Sequence, residues 1–366
     1  MIFGNHLPRF LPTDRVGRQT CLVLGGLGVL LVFTSATSIA VGAVPVSPGQ
    51  IAAILAKQLG LEMPWAFEIR HEAVVIAIRL PRVLLGVLVG SGLALSGAAL
   101  QGLFRNPLAD PGLIGIFSGA ALAVTAWIVV GLPFAQKAGT LFGFASLPLV
   151  SFLGSIATTF VVYRISTVSG LTAVSTMLLA GIAINALAGA GVGFFVLLAT
   201  DDQLRDIVFW NLGSLGGATW RAVLSAGPFI GLAVLVLPRL ARALNTLLLG
   251  ETEARHLGIP TEQVMRLIVV MSALAVGASV AVAGSIGFIG LVVPHLLRLM
   301  VGPEHRLVLP GSALLGASLL AASDVVARTI IAPAELPIGI VTASLGAPFF
   351  LWLLLRARRQ GESSLA

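Results

Sequence analysis

The stretch RLPRVLLGVLVGSGLALSGAALQGLFRNPLADPG runs from Arg79 to Gly112, and the rest of the chain can be read outward from it. Between Arg82 and Arg105 it holds no charged residue. A helix needs about 20 apolar residues to cross the hydrocarbon core of a bilayer, and this run is long enough. Glycines recur along it at Gly86, Gly90, Gly92, Gly97 and Gly102. Small residues let helix backbones approach closely in lipid. The run closes on Arg105, Asn106, Pro107, Asp110 and Pro111, a polar turn. The stretch therefore reads as a closely packed transmembrane helix with arginines at one mouth and a polar turn at the other.

Composition extends this reading to the whole chain. Of its 366 residues, 57% are hydrophobic and 10% charged, whereas soluble domains carry about 25% charged residues. A transmembrane barrel would alternate with period two in roughly 10-residue pieces; the apolar runs here are longer and do not alternate. The fold class expected is all-α, a polytopic membrane protein with about ten transmembrane helices. Cys21 stands alone, so no intrachain disulfide forms. The net charge of +7 does not point to nucleic acid. The arginines lie between apolar runs rather than along a basic stripe, as membrane orientation requires.

Ten apolar runs fall at roughly 20–43, 74–104, 112–131, 145–164, 171–199, 222–238, 265–284, 287–299, 307–327 and 337–355. The first, with its flanks at 19–44, is too long for a cleaved signal-peptide core of about 7–15 residues. The eighth is too short to cross alone and contains Pro294, so it reads as broken or partly re-entrant. With the N-terminus in the cytoplasm, fourteen of the 22 arginines and lysines fall inside, which the positive-inside rule favours. An even number of spans returns the C-terminus, with Arg356, Arg358 and Arg359, to the same side. A faint internal echo relates Val89, Gly90, Ala94, Gly97 and Pro107 to Val276, Gly277, Ala281, Gly284 and Pro294. No soluble domain interrupts residues 1–366, read as one transmembrane domain. The longest cytoplasmic piece is 239–264.

Several chemistries are excluded. A nucleotide-cradling P-loop needs a lysine after glycine, and the only lysines are Lys57 after Ala56 and Lys137 after Gln136. No HExxH motif occurs, and five scattered histidines make no metal site. No cofactor is expected. Ionisable residues are nearly absent from the span centres, which disfavours an ion-coupled relay. Asp324 and Arg328 stand four apart, a helical pair spacing. Arg79 and Arg82 lie on one side of a helix start. They read either as snorkelling interfacial anchors or as a cationic dock, since Arg binds carboxylates bidentately. Residues 201–213 read as a short amphipathic helix on the outside, a lid or a surface helix. Residues 244–266 read as two short helices around Gly250, ending at Gly258 before Pro260, either a cytoplasmic docking knob or an ordered loop. His71 is a surface histidine or a ligand, His295 is expected to hold a backbone group, and Asn185 reads as helix–helix glue or as path lining.

These motifs together resemble the iron-siderophore/haem/cobalamin permeases, the membrane subunits of type II ABC importers. The resemblance runs from about 70 to 355. It is carried by RLPR (Arg79–Arg82), GAALQGLFRNPLADPG (Gly97–Gly112), Leu179–Gly181, GSIGFIGLVVPH (Gly284–His295), DVVAR (Asp324–Arg328) and ELPIGIVTASLGAP (Glu335–Pro348). It implies a homodimeric permease in a bacterial inner membrane, with two cytoplasmic ATP-binding subunits and a periplasmic substrate-binding protein. By the same resemblance, Arg79, Arg82 and Arg328 would receive acidic residues of the binding protein. Leu249, Gly250, Glu251, Ala254, Leu257 and Gly258 would couple to the ATPase. Val174, Ser175 and Thr176 would belong to a cytoplasmic gate, although Val174 departs from the small hydroxyl residue of the cobalamin type. The segment DDQLRDIVFWNLGSLGGATW (Asp201–Trp220) looks most like the haem permeases. Ferric siderophore and cobalamin are the other cargoes implied, and an ion-coupled secondary transporter is the rival class.

Overall fold

The computed structural model describes residues 15–131 and 146–363. Arg9 and Lys137, counted above for orientation, lie outside them. The chain runs from α1 (Arg15–Ala40) through a short capped helix, α2 (Pro48–Gln58), into the long α3 (Ile69–Leu103). A π turn at Val74–Arg79 interrupts α3. A 3-10 turn at Pro111–Ile114 leads to α4 (Ile116–Gly131). Then come α5 (Leu147–Ser166), a two-stranded hairpin of β1 (Thr167–Val168) and β2 (Leu171–Thr172), α6 (Val174–Leu198) and α7 (Asp201–Leu212). The last part holds α8 (Trp220–Leu247), α9 (Glu251–His256), α10 (Thr261–Ala283), α11 (Ile289–Val301), α12 (His305–Thr329) and α13 (Ile338–Ser363).

Helices α1, α3, α5, α6, α8, α10 and α12 are long and apolar enough to cross a membrane; α4, α11 and α13 are shorter apolar helices. These ten fall on the ten apolar runs. Burial ranks them. In α3 and α10, 78% of the apolar window is buried within the chain, against 11% in α1 and α6. The opening stretch is therefore the central helix, and α12, α10, α11 and α8 pack around it.

Glycine makes that packing possible. The backbone of α3 at Gly90 lies against the carbonyl of Gly316 in α12, and Gly97 lies against the carbonyl of Gly290 in α11. A Cβ at either position would overlap a main-chain oxygen. Gln101, one turn beyond Gly97, donates to the carbonyl of Leu291 at 3.2 Å and fixes the same contact.

The eighth run is irregular only at its start; Pro294 lies inside a continuous helix and does not break it. Residues 284–288 are not helical, and the 13-residue α11 follows them. Gly284 and Phe288 both have positive φ, 70° and 68°. Irregular backbone at this depth is tolerated only where protein surrounds it. Here Trp210 of α7 accepts the Ser285 N–H, and the Phe288 side chain packs on Gly346 of α13. One expectation changes. The first short helix of the 244–266 segment is not separate; α8 carries on through a 3-10 turn at Leu237–Leu240 as far as Leu247.

Gly97→Val is expected to cost more than the ~1–3 kcal/mol typical of an overpacked side chain, because the obstacle is backbone. Size-exclusion profiles and thermal unfolding in detergent read this out. Gly25→Val in α1 is the silent control, since nothing lies within 4 Å of its position. Wild-type stability in Gly97→Val would remove the contact from the account of the fold.

Candidate functional site

The two ends of the bundle carry different chemistry. At one end, Arg79, Arg82 and Arg328 come together around Asp324. Arg82 donates through Nε to Asp324 Oδ1 at 3.0 Å and through Nη2 to the same oxygen at 2.9 Å. Its Nη1 donates to Glu335 Oε1 at 2.8 Å. Arg328 Nε lies 3.3 Å from Asp324 Oδ2, the pair that the i,i+4 spacing suggested.

The other contacts of the cluster are to backbone. Arg79 donates to the carbonyls of Ile39 (2.7 Å), Ala40 (3.0 Å) and Val44. Arg328 donates to those of Ser38 (2.6 Å) and Val41 (3.0 Å). The last carbonyls of a helix have no intrahelical donor, and cations are favoured beside them. Arg79 and Arg328 thus cap the C-terminus of α1 and pin the link that follows.

The cluster is enclosed, with only its edge exposed. Arg79 and Arg82 are 4% and 8% exposed, and the guanidinium groups of all three arginines already have acceptors inside the chain. Glu335, with its side chain 43% exposed, is the part of the cluster open to the surroundings. The Arg82 hydrogen bond holds its carboxyl below the usual glutamate range.

Helix α7 lies at the same end. Thr200 and Gln203 form a capping box, and Gln203 also donates to the carbonyl of Ile128 in α4 at 3.1 Å. Ile207 is buried, while Leu204, Val208 and Phe209 remain exposed. The apolar side read from the sequence is therefore only partly covered. His71 sits nearby as a cap, its Nδ1 accepting the Glu68 N–H at 3.4 Å.

Helix α6 joins the two ends. It contains no charged residue. Leu179, Ile182, Leu187, Phe194 and Leu197 stand out from it uncovered. Asn185 turns the other way. It donates to the Gly112 carbonyl at 3.0 Å and accepts from Ser118, so it is helix–helix glue. His295 does not hold a backbone group; neither ring nitrogen has a hydrogen-bond partner among the described residues.

At the other end, Gly250 (φ 122°) and Gly258 (φ 82°) turn the chain around α9. Ala254 is buried and anchors this short helix. Leu249 and Leu257 are 66% and 64% exposed, and Leu248 is exposed beside them. The β1–β2 hairpin stands next to this knob. Its turn residues Ser169 and Gly170 both have positive φ, as a two-residue primed turn requires. Val174, Ser175 and Thr176 form the first turn of α6 directly after it. In the turn after α3, burial pushes the Asp110 carboxyl above its usual value, although it accepts the Gly112 N–H at 2.7 Å. The hairpin and the partners of Arg79 and Arg82 were not visible in the sequence, whereas the Asp324–Arg328 pair was.

The pattern of the FecCD transport family matches residues 30–356. Over 284 residues the chain is 50% identical to the hemin transport system permease protein of Yersinia pestis, covering 77% of this chain and 83% of that one. It is 43% identical over 293 residues to the cobalamin import system permease protein of Halobacterium salinarum, with 80% and 76% covered. It is 40% identical over 342 residues to the vitamin B12 import system permease protein of Citrobacter koseri, with 93% and 96% covered. A solved metal-chelate type ABC transporter in an inward-facing conformation superposes with a TM-score of 0.78 at 34% identity, covering 92% of this chain and 99% of that chain.

The cluster generates two predictions. Asp324→Ala leaves Arg82 and Arg328 buried without their shared acid, and breaking a buried pair in this way costs about 3–5 kcal/mol. Thermal unfolding in detergent should fall sharply, whereas Arg70→Ala, in the exposed Glu68–Arg70 pair, should change stability by less than about 1 kcal/mol. Glu335 has its folded value depressed. Its contribution is therefore present above the unfolded glutamate value of about 4.3 and lost as pH falls through the lower folded value. Glu335→Gln should flatten the acid limb of the stability profile below about pH 5, and an unchanged limb would contradict the Arg82 assignment.

Proposed function

The chain belongs to the FecCD transport family, and from that premise we propose that it is the membrane-spanning permease subunit of an ATP-driven importer that moves haem (hemin) inward. The observation that carries the cargo is the 50% identity to a hemin permease, higher than to either cobalamin permease compared. That difference is modest, so cobalamin is the second reading, and a ferric siderophore the third.

The rest of the proposal follows the chemistry of the two ends. The Arg82 end faces outward, and the Gly250 end faces a cytoplasm in which both termini lie, in a bacterial inner membrane. ATP hydrolysis belongs to separate cytoplasmic subunits, because the chain has no P-loop lysine. The knob of Leu249, Gly250, Glu251, Ala254, Leu257 and Gly258 suits a cleft in such a partner. Exposed leucines flank a buried alanine there, and two left-handed glycines fix the fold of the segment.

A periplasmic binding protein is received at the Arg82 end. Its carboxylates would compete with Glu335 for Arg82, since Glu335 is the exposed acid of the cluster. Arg79 and Arg328 contribute by holding the surface rigid and positive. Long-range attraction of an acidic partner speeds encounter and weakens with salt. Two copies of the permease pair through apolar faces, for which α6 and α13 are the candidates, with Leu187 and Phe194 on one and Leu345 and Leu351 on the other exposed in the single chain. Val174, Ser175 and Thr176 at the start of α6 form the cytoplasmic gate.

The mechanism is alternating access. The loaded binding protein docks, cargo enters an apolar path, and ATP-driven closure of the partner subunits moves the knob and opens the gate. The test is uptake into proteoliposomes carrying the permease, its ATPase and its binding protein, with haem, cobalamin and a ferric siderophore compared. Haem uptake is expected only with ATP and all components. Leu249→Asp with Leu257→Asp should reduce ATPase co-purification about tenfold or more at unchanged stability, since both side chains lie at the surface. Uptake by the permease alone under an ion gradient would overturn the reading.

A further inference from the structure

The gate hairpin and the coupling knob belong to different parts of the chain, and one carboxylate joins them. Glu262 sits in the first turn of α10. Its Oε2 accepts the backbone N–H of Thr172, the last residue of β2, at 3.1 Å. Its Oε1 accepts from Arg255 Nη2 of α9 at 3.2 Å. The same Arg255 donates through Nε to Thr261 Oγ1 at 2.9 Å, so its guanidinium is held flat against the start of α10.

The hairpin end of this bridge is stiff. Thr167 and Thr172 pair across the strands, with their hydroxyls 2.9 Å apart. Thr167 also donates to the Tyr163 carbonyl at 2.9 Å, which fastens β1 to α5. One turn further along α10, Arg266 donates to the Tyr163 hydroxyl at 3.3 Å. Glu262 and Arg266, four residues apart on one helix face, thus hold the hairpin and the end of α5. Beyond Thr172 only Ala173 intervenes before α6 begins at Val174.

We propose that Glu262 is the positioning residue through which movement of α9 reaches the first turn of α6. One oxygen holds the coupling helix and the other holds the backbone at the gate, so a shift of α9 against α10 pulls on the strand that ends at the gate. The inference rests on the importer reading above. It adds a named link that neither the knob nor the gate residues supply themselves.

A bland role is available to Glu262, and it predicts the opposite result. An acid in the first turn of a helix is favoured by the helix dipole. For that role Asp serves as well as Glu, and the neutral Gln does not. The bridge needs reach. Asp is one methylene shorter and cannot span from α10 to Thr172 while also holding Arg255, and Gln keeps the length and an oxygen for the N–H but turns an NH2 donor toward the Arg255 guanidinium, so it holds the gate end alone.

The experiment uses the reconstituted complex, with ATP hydrolysis and haem uptake measured on the same vesicles. Glu262→Asp is expected to keep hydrolysis near wild type and to lower cargo moved per ATP by about tenfold, the loss of one charge-assisted hydrogen bond. Glu262→Gln, which loses the Arg255 end of the bridge, is expected to lower the ratio as well. The inference is overturned if either Asp or Gln keeps the wild-type ratio. The unfolding temperature of each variant separates coupling from stability, and an Asp loss that follows a lowered unfolding temperature also overturns it. A wild-type complex without ATP-dependent uptake of any cargo would instead overturn the importer reading, so the two failures are distinct.

Discussion

Where α3 meets α12 at Gly90 and Gly316, and α11 at Gly97 and Gly290, helix backbones touch. In lipid the tails are as apolar as leucine, so association of helices depends on close van der Waals packing and on polar contacts between them. Both occur at this seam. The contact at Gly97 places the start of α11 deep beside α3, and Gln101 bonds the carbonyl of Leu291. Residues 284–288 must then descend without helix from the end of α10. That descent brings Ser285 beside Trp210 and sets Phe288 against Gly346, where α7 and α13 meet it. The geometry of the Arg82 end therefore depends on glycines near the middle of the bundle.

Charge is handled by the same logic of enclosure. Arg82, Asp324 and Arg328 are buried together, and leaving any one unpaired in such a setting is costly. Arg79 and Arg328 also solve a second problem, the unpaired carbonyls where α1 ends. A non-helical link of bends follows that helix, so no further turn of helix supplies their donors. One cluster thus closes the end of a poorly buried helix and ties it to the central one. A partner that approaches this surface meets a charge pattern whose internal demands are already satisfied, with Glu335 at its edge.

The sequence was most legible where the bilayer dictates the pattern. Ten apolar runs, a central glycine-rich helix and a shortened eighth helix follow from length and glycine spacing, whereas Pro294 does not break that helix. Gly250 and Gly258 were legible because each takes a left-handed conformation that punctuates a short helix. The partners were not. Arg82 and Asp324 stand 242 residues apart, and the acceptors of Arg79 are main-chain carbonyls that no residue type marks. Strands of two residues carry no readable alternation. Glu262 reads as an ordinary first-turn acid, and only its distances to Thr172 and Arg255 distinguish it.

The chemistry of α6 bears on where cargo selection resides. The helix has no charge, and its one amide, Asn185, is consumed by Gly112 and Ser118. Its open positions are leucine, isoleucine, phenylalanine and small residues. A surface of this kind offers a neighbouring molecule dispersion contacts and little else. Such contacts are non-directional and discriminate weakly between solutes of similar bulk. A path that binds weakly also releases readily, which a conduit needs. Relatives named for hemin and for cobalamin lie at 40–50% identity to this chain, a likeness that the uncharged surface of α6 does not divide.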